Sequence, residues 1–157
     1  SPFDSEGVAT AARDVVRAGA VQGYFLGSYS ARKLGMQTTG NGGGSHNLVL
    51  DHGTDDLPAL LRRMDRGLLV TRFHYTNPVH PKLALITGMT RDGTFLVEDG
   101  KIVGPVRNLR YTQSYLDALA GTVAVGRERK TLKGFLGGVV VPAVRIDGWS
   151  FTGTTEH

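Results

Sequence analysis

The 157 residues, 40% of them hydrophobic, fit one globular domain long enough to bury a core. The absence of cysteine excludes disulfides and thiolate metal sites within the chain, and no apolar run approaches the roughly 18 residues of a membrane-spanning helix. The net charge of +4, from 18 basic and 14 acidic residues, is scattered: ARK, LRRMDR and GRERKTLK are small clusters without interleaved aromatics, so nucleic acid and membrane are not expected partners.

The chain opens on SPFDSEG rather than a methionine, and is expected to be a piece of a longer polypeptide. The following VATAARDVVRAGAVQGYFLG is ambiguous, because its alanines favour helix while Arg17-Ala18-Gly19-Ala20 reads as a hairpin tip. YSARKLGM is helix-like and leads into TTGNGGGSHN, Thr38 to Asn47, with glycine at four of five consecutive positions. Such a density of glycine serves positive φ angles or the close approach of another backbone or ligand. The strand-like NLVLD comes next. In TDDLPALLRRMDRG the pattern predicts a helix over 54–66, with Thr54 as cap, Leu57, Leu60, Leu61 and Met64 as its apolar stripe, and Gly67 as its stop.

GLLVTRFHYTN alternates as one strand, with Leu69, Thr71, Phe73 and Tyr75 on one face and Val70, Arg72, His74 and Thr76 on the other. LALITGMT and TFLVED flank the turn signal Arg91-Asp92-Gly93, and KIVGPV follows Glu98-Asp99-Gly100-Lys101, which together read as a three-strand antiparallel meander. TQSYLDALAG gives a short helix stopped by Gly121, and GGVVVPAVRIDGWSFTG a final strand whose Pro142 implies an edge or a bulge.

Catalytic motifs are sparse. A zinc peptidase helix places two histidines one turn apart with a glutamate between them, so that both rings face the metal and the carboxylate activates water. None of His46, His52, His74, His80 or His157 sits in such a helix, and only His46 and His74 fall where a cleft would form. Gly27-Ser28-Tyr29-Ser30 lacks the glycine that a nucleophile elbow requires after its serine. The glycine loop follows a helix and opens a strand, the reverse of a phosphate cradle, and lacks Gly-Lys-Ser/Thr. Two readings of it remain: a surface for close backbone approach, or a turn that only reverses the chain.

SPFDSEGVATAARDVVRAGAVQGYFLGSYSARKLGMQTTGNGGGSHNLVL, GLLVTRFHYTNPVHPKLALITGMTRDGTFLVEDGKI and VVVPAVRIDG resemble the C-terminal part of the TldD/PmbA family, metallopeptidase subunits once described as modulators of DNA gyrase. The resemblance covers almost the whole chain. It implies residues 1–157 as a single C-terminal domain with further domains upstream, an α+β fold built as a mainly antiparallel β pseudo-barrel capped by short helices, and a β-hairpin for the ambiguous first segment. It also implies a cytoplasmic system in which a catalytic TldD-type subunit pairs with a TldE/PmbA-type subunit that lacks the metal site, acting on unfolded or precursor peptides.

In the catalytic branch, zinc is held by a His-Glu-x-x-x-His helix upstream and a cysteine near the C-terminus. The corresponding stretch here, GRERKTLKGFLGG, has no cysteine, which places the chain on the non-catalytic side with no catalytic residue or cofactor of its own. Zinc is then expected in the partner subunit or elsewhere in the full-length protein. Expected partners are the TldD-type subunit or a second copy, the upstream part of the same chain, and a peptide. The candidate peptide- or partner-binding residues are Arg32, Asn41, Gly42, Gly43, Gly44, His46, Asn47 and His74. Two alternatives stay open: an active peptidase with ligands such as His74 or Glu128 and the rest upstream, and a nucleic-acid-associated modulator.

Overall fold

A computed structural model describes residues 1–42, 44–133 and 137–154. The chain divides into two compact units, Ser1–Leu48 with Lys133–Val139, and Val49–Leu132 with Val140–His157. Among the described residues, no helix is long and apolar enough to cross a membrane.

In the first unit, β1 (Val16–Arg17) and β2 (Ala20–Val21) pair antiparallel. The intervening Ala18 and Gly19 have φ of 48° and 79°, the left-handed pair whose twist suits a two-residue hairpin. The hairpin expectation therefore holds. Helix α1 (Ser28–Lys33) is started by Glu6, whose carboxylate accepts from the Ser28 amide at 2.7 Å and its hydroxyl at 2.9 Å. It ends on Gly35 at φ 65°, with Met36 N donating to Ala31 O and Gly35 N to Arg32 O, the paired bonds of a glycine-terminated helix. The short β3 (Leu48–Val49) follows the glycine loop.

The second unit departs from the expected helix over 54–66. Helix α2 spans only Leu57–Arg62, and its cap is Asp56, which accepts from Ala59 N at 2.8 Å, not Thr54. Pro58 sits in the first turn, where no amide is missed. Gly67 does not stop the helix; it lies inside β4 (Arg66–Val70), because these residues gain a full ladder against Thr94–Glu98. The stripe contracts accordingly: Leu60 is buried (3% exposed), Leu61 and Met64 are half-buried, and Leu57 is 42% exposed.

The run GLLVTRFHYTN is not one strand of one sheet. It divides into β4 and β5 (Phe73–His80), which belong to different sheets. A short 3-10 turn (Pro81–Leu83) leads to β6 (Leu85–Thr90) and then β7 (Thr94–Glu98). β5 pairs with β6 and β4 with β7, so the four strands form one long antiparallel ribbon bent at its middle. The bend is fixed by Thr71 N and Oγ1 donating to Gly93 O, each at 3.0 Å, and by Arg91 N donating to Arg72 O at 2.9 Å. Asp92 at φ 63° and Gly93 at φ 150° make the corner, and an Arg72–Asp92 ion pair at 2.7 Å spans it. Arg91-Asp92-Gly93 is therefore a crossing between sheets, and the expected three-strand meander reduces to the hairpin of β7 with β8 (Lys101–Pro105), turned at Asp99 and Gly100.

Strand β9 (Leu109–Ser114) runs into α3 (Tyr115–Ala120), which Gly121 terminates as expected. The twelve-residue β10 (Thr122–Lys133) includes all of GRERKTLK, where the clustered charge hides the strand in the sequence. The expected single last strand is two, β11 (Gly138–Ile146) and β12 (Phe151–Thr154), separated by a turn containing Gly148 at φ 79°. The sheets have orders β12-β9-β6-β5, β4-β7-β8 and β10-β11-β3, besides the β1-β2 pair. The architecture is the expected mainly antiparallel α+β, but these sheets are open, so it matches a pseudo-barrel only loosely.

The core of the four-stranded sheet is Tyr111, fully buried, with Phe73 edge-on at 4.8 Å and Trp149 at 5.4 Å. Its hydroxyl meets Thr76 Oγ1 at 2.6 Å, and a side chain at Gly88 would collide with that hydroxyl. Burial raises the Tyr111 pKa, opposed by the Thr76 bond. Leu60→Ala is expected to cost about 2–5 kcal/mol and Leu57→Ala less than about 0.5 kcal/mol. Urea titration measures both, and equal losses would refute the contracted stripe.

Candidate functional site

Residues 38–47 begin as a clamped segment. Thr39 N donates to Leu26 O at 3.0 Å and Leu26 N to Thr39 Oγ1 at 2.9 Å, while Thr38 Oγ1 reaches the same Leu26 carbonyl at 2.9 Å. Gly40 takes φ 68°, and a Cβ there would overlap the Ala9 carbonyl. A Cβ on Gly42 would stand 3.0 Å from Gly27 Cα. These two glycines exist because other backbone passes against them.

The clamp closes on Asp4. Its Oδ1 accepts from Glu6 N at 2.9 Å and Val8 N at 3.0 Å, and its Oδ2 accepts from Gly42 N at 3.1 Å. The side chain is buried within its unit. The Gly42 amide, followed by those of Val8 and Glu6, holds the carboxyl below the ordinary aspartate range against the opposing effect of burial. Asp4 is the residue that sequence reading missed. Nothing local marks it, since its partner in the loop is 38 positions away.

Past the clamp the loop changes character. Gly44 has φ 95° with nothing near its Cβ position, and its amide closes a turn on Asn41 O at 2.8 Å. His46 and Asn47 are exposed, and Asn47 Oδ1 accepts from Gly138 N at 3.0 Å. Asn41 is half-buried, and its Oδ1 is buried with no hydrogen-bond partner among the described residues. Arg32 is exposed in the last turn of α1, where its charge suits the helix C-terminus. Gly43 lies outside the described residues.

The first unit thus holds Arg32, Asn41, Gly42, Gly44, His46 and Asn47, whereas His74 belongs to the second. His74 is half-buried on β5 beside Tyr75, with ring centroids 6.2 Å apart. Tyr75 is the more exposed of the two (74%), and takes φ 54° at a bulge held by Asn77 Nδ2 donating to its carbonyl at 2.8 Å. Among the described residues, no three His, Cys, Asp or Glu side chains stand together as metal ligands.

A family model for the PmbA/TldA metallopeptidase C-terminal domain matches residues 1–153. The chain is similar to a metalloprotease PmbA homolog of Haemophilus influenzae, 38% identical over 154 residues, and to metalloprotease PmbA of Escherichia coli O157:H7, 35% identical over 151. Each match covers 94% of this chain but only 33% and 32% of the relative, so the chain spans about a third of their length. Among solved structures it is similar to a putative modulator of a DNA gyrase from Thermotoga maritima, with TM-score 0.79, 27% identity, and 97% of this chain against 35% of that one. It also shares its fold with TldE from Thermococcus kodakarensis, at TM-score 0.80 and 24% identity, over 98% of this chain and 36% of the other.

The clamp yields two expectations. Gly40→Ala should destabilise the first unit by about 1–3 kcal/mol, through positive φ and the overlap with Ala9, read by hydrogen exchange of the loop amides. Because the folded Asp4 carboxyl titrates below its unfolded value, the unfolded chain binds more protons on the acid side. Its contribution is present above about pH 4 and drains away as pH falls through the lowered pKa. Asp4→Asn should remove that part of the acid dependence; an unchanged pH profile of loop exchange would rule the clamp out.

Proposed function

Since this chain belongs to the PmbA/TldD family, as its C-terminal domain, we propose that it is part of a non-catalytic TldE/PmbA-type subunit. In this reading the subunit pairs with a catalytic TldD-type subunit in the cytoplasm and helps wall the channel through which unfolded or precursor peptides reach the zinc of that partner. The observation that carries it is the 38% identity to a PmbA homolog along 94% of the chain. The cysteine-free sequence supports the non-catalytic side, since the catalytic branch places a zinc-binding cysteine near this end.

The clamp gives the loop a division of labour. Residues 38–42 fix the backbone, and Gly44, His46 and Asn47 then stand where a peptide or a partner segment meets them. An unfolded peptide varies in its side chains but always offers amides and carbonyls, so a binding surface tolerant of sequence works through main-chain contacts that glycine leaves uncovered. Arg32 supplies a cation for a carboxylate on the incoming chain.

The test uses the full-length protein that contains this chain. Alone, it is expected to hold no stoichiometric zinc after dialysis and to cleave no unfolded peptide; mixed with its TldD-type subunit, it should co-elute and support chelator-sensitive cleavage. Stoichiometric zinc with cleavage by the lone protein overturns the assignment. His46→Ala should weaken binding of the subunit or the peptide while the melting temperature stays within a few degrees. Normal binding by that variant removes His46 from the site.

A further inference from the structure

We propose that Asn41 is a latent deamidation site, kept silent by the Asp4 carboxylate for as long as the glycine loop stays closed. Asn41 precedes Gly42, whose amide nitrogen is not shielded by a side chain. In the reaction, Gly42 N attacks Asn41 Cγ, a new C–N bond closes a five-membered succinimide, and the Cγ–Nδ2 bond breaks. Nδ2 leaves as ammonia, taking the proton lost by Gly42 N. Water then opens the ring at either carbonyl and leaves aspartate or isoaspartate. The sum is asparagine plus water giving acid plus ammonia, with no oxidant or cofactor.

Each requirement of that reaction is opposed in the closed loop. The nucleophile must lose its proton, yet Gly42 N–H donates to Asp4 Oδ2 at 3.1 Å. Deprotonating it would set a second negative charge against the carboxylate. Asp4 does not act as the base either, because its proton affinity is lowered by the same amides that it holds. The electrophile needs a donor on its carbonyl oxygen, and Asn41 Oδ1 is buried with none among the described residues. Ring closure also needs the backbone to swing, but Gly40 is packed on Ala9, Gly42 on Gly27, and Asn41 O is held by Gly44 N.

Reaction is thus confined to an opened loop, and it is one-way. A carboxylate at position 41 would have to return to a buried oxygen site with no donor among the described residues, next to the amide that Asp4 already holds. The modified loop would stay open, so the acid at position 41 accumulates as a chemical record of opening.

The experiment incubates the full-length native protein at mildly alkaline pH, beside a synthetic peptide of sequence TTGNGGGSHN, and follows position 41 by peptide mapping with mass spectrometry and isoaspartate assignment. The native protein is expected to react at least about tenfold more slowly than the peptide, because only the opened fraction reacts. Asp4→Asn should bring its rate toward that of the peptide, while Leu60→Ala, which weakens the other unit, should leave it unchanged. Equal rates in native protein and peptide overturn the proposal, as does an Asp4→Asn rate no faster than that of Leu60→Ala. If Asp4→Asn does not fold, the comparison of native protein with peptide decides alone.

Discussion

Three backbone amides converge on one carboxylate, and the candidate loop depends on that arrangement. Asp4 lies in a tight N-terminal turn in which Asp4 N donates to Val8 O and Thr10 N to Pro2 O, so the carboxylate is already positioned before the loop reaches it. A buried carboxylate is tolerated only where donors replace its water, and amides of Glu6, Val8 and Gly42 do so. Two of the donors are local and one comes from across the unit. The long-range one ties the N-terminal segment to the glycine loop, and the need for close passage at Ala9 and Gly27 selects glycine at positions 40 and 42. Glu6, in the same turn, caps α1, so one short segment positions both the helix before the loop and the loop itself.

The second unit rests on a different device, a bent ribbon. Strand and turn signals along 66–98 were legible because alternation and the turn residues are local properties. Their assignment to sheets was not, because Thr71–Arg72 continues the alternation while the hydrogen bonds at Gly93 turn the ribbon from one sheet into the other. A turn signal says that the chain changes direction, not which strand it will pair with next. The same limit explains the helix: the leucine spacing was readable, but Asp56 competed with Thr54 as cap, and the ladder to Thr94–Glu98 claimed the residues from Arg66 onward. β10 was hidden because its exposed residues alternate charge with charge rather than with apolar side chains.

Of the candidate site, the sequence announced the loop by its glycines and left its two readings undecided. In the structure Gly40 and Gly42 answer to packing against other backbone, while Gly44 has open space at its Cβ position. Family likeness in the quoted segments located the chain within its family without reference to any of this geometry. Asp4 and Tyr75 were not readable at all. One acts on an amide far along the chain, and the other is set apart by a backbone angle that a tyrosine rarely adopts.

The aromatic cluster has a consequence for optical work on this chain. Its single tryptophan is Trp149, stacked on Phe73 at 4.9 Å and packed against Tyr111, all three within the second unit. Tryptophan emission, excited selectively, therefore senses the quenching and polarity of that cluster alone. A fluorescence melt follows the unit that does not carry the glycine loop, and a single sigmoidal transition leaves the loop's own stability unread. A tryptophan placed in the first unit, on a Trp149→Phe background, would give that unit its own spectroscopic voice.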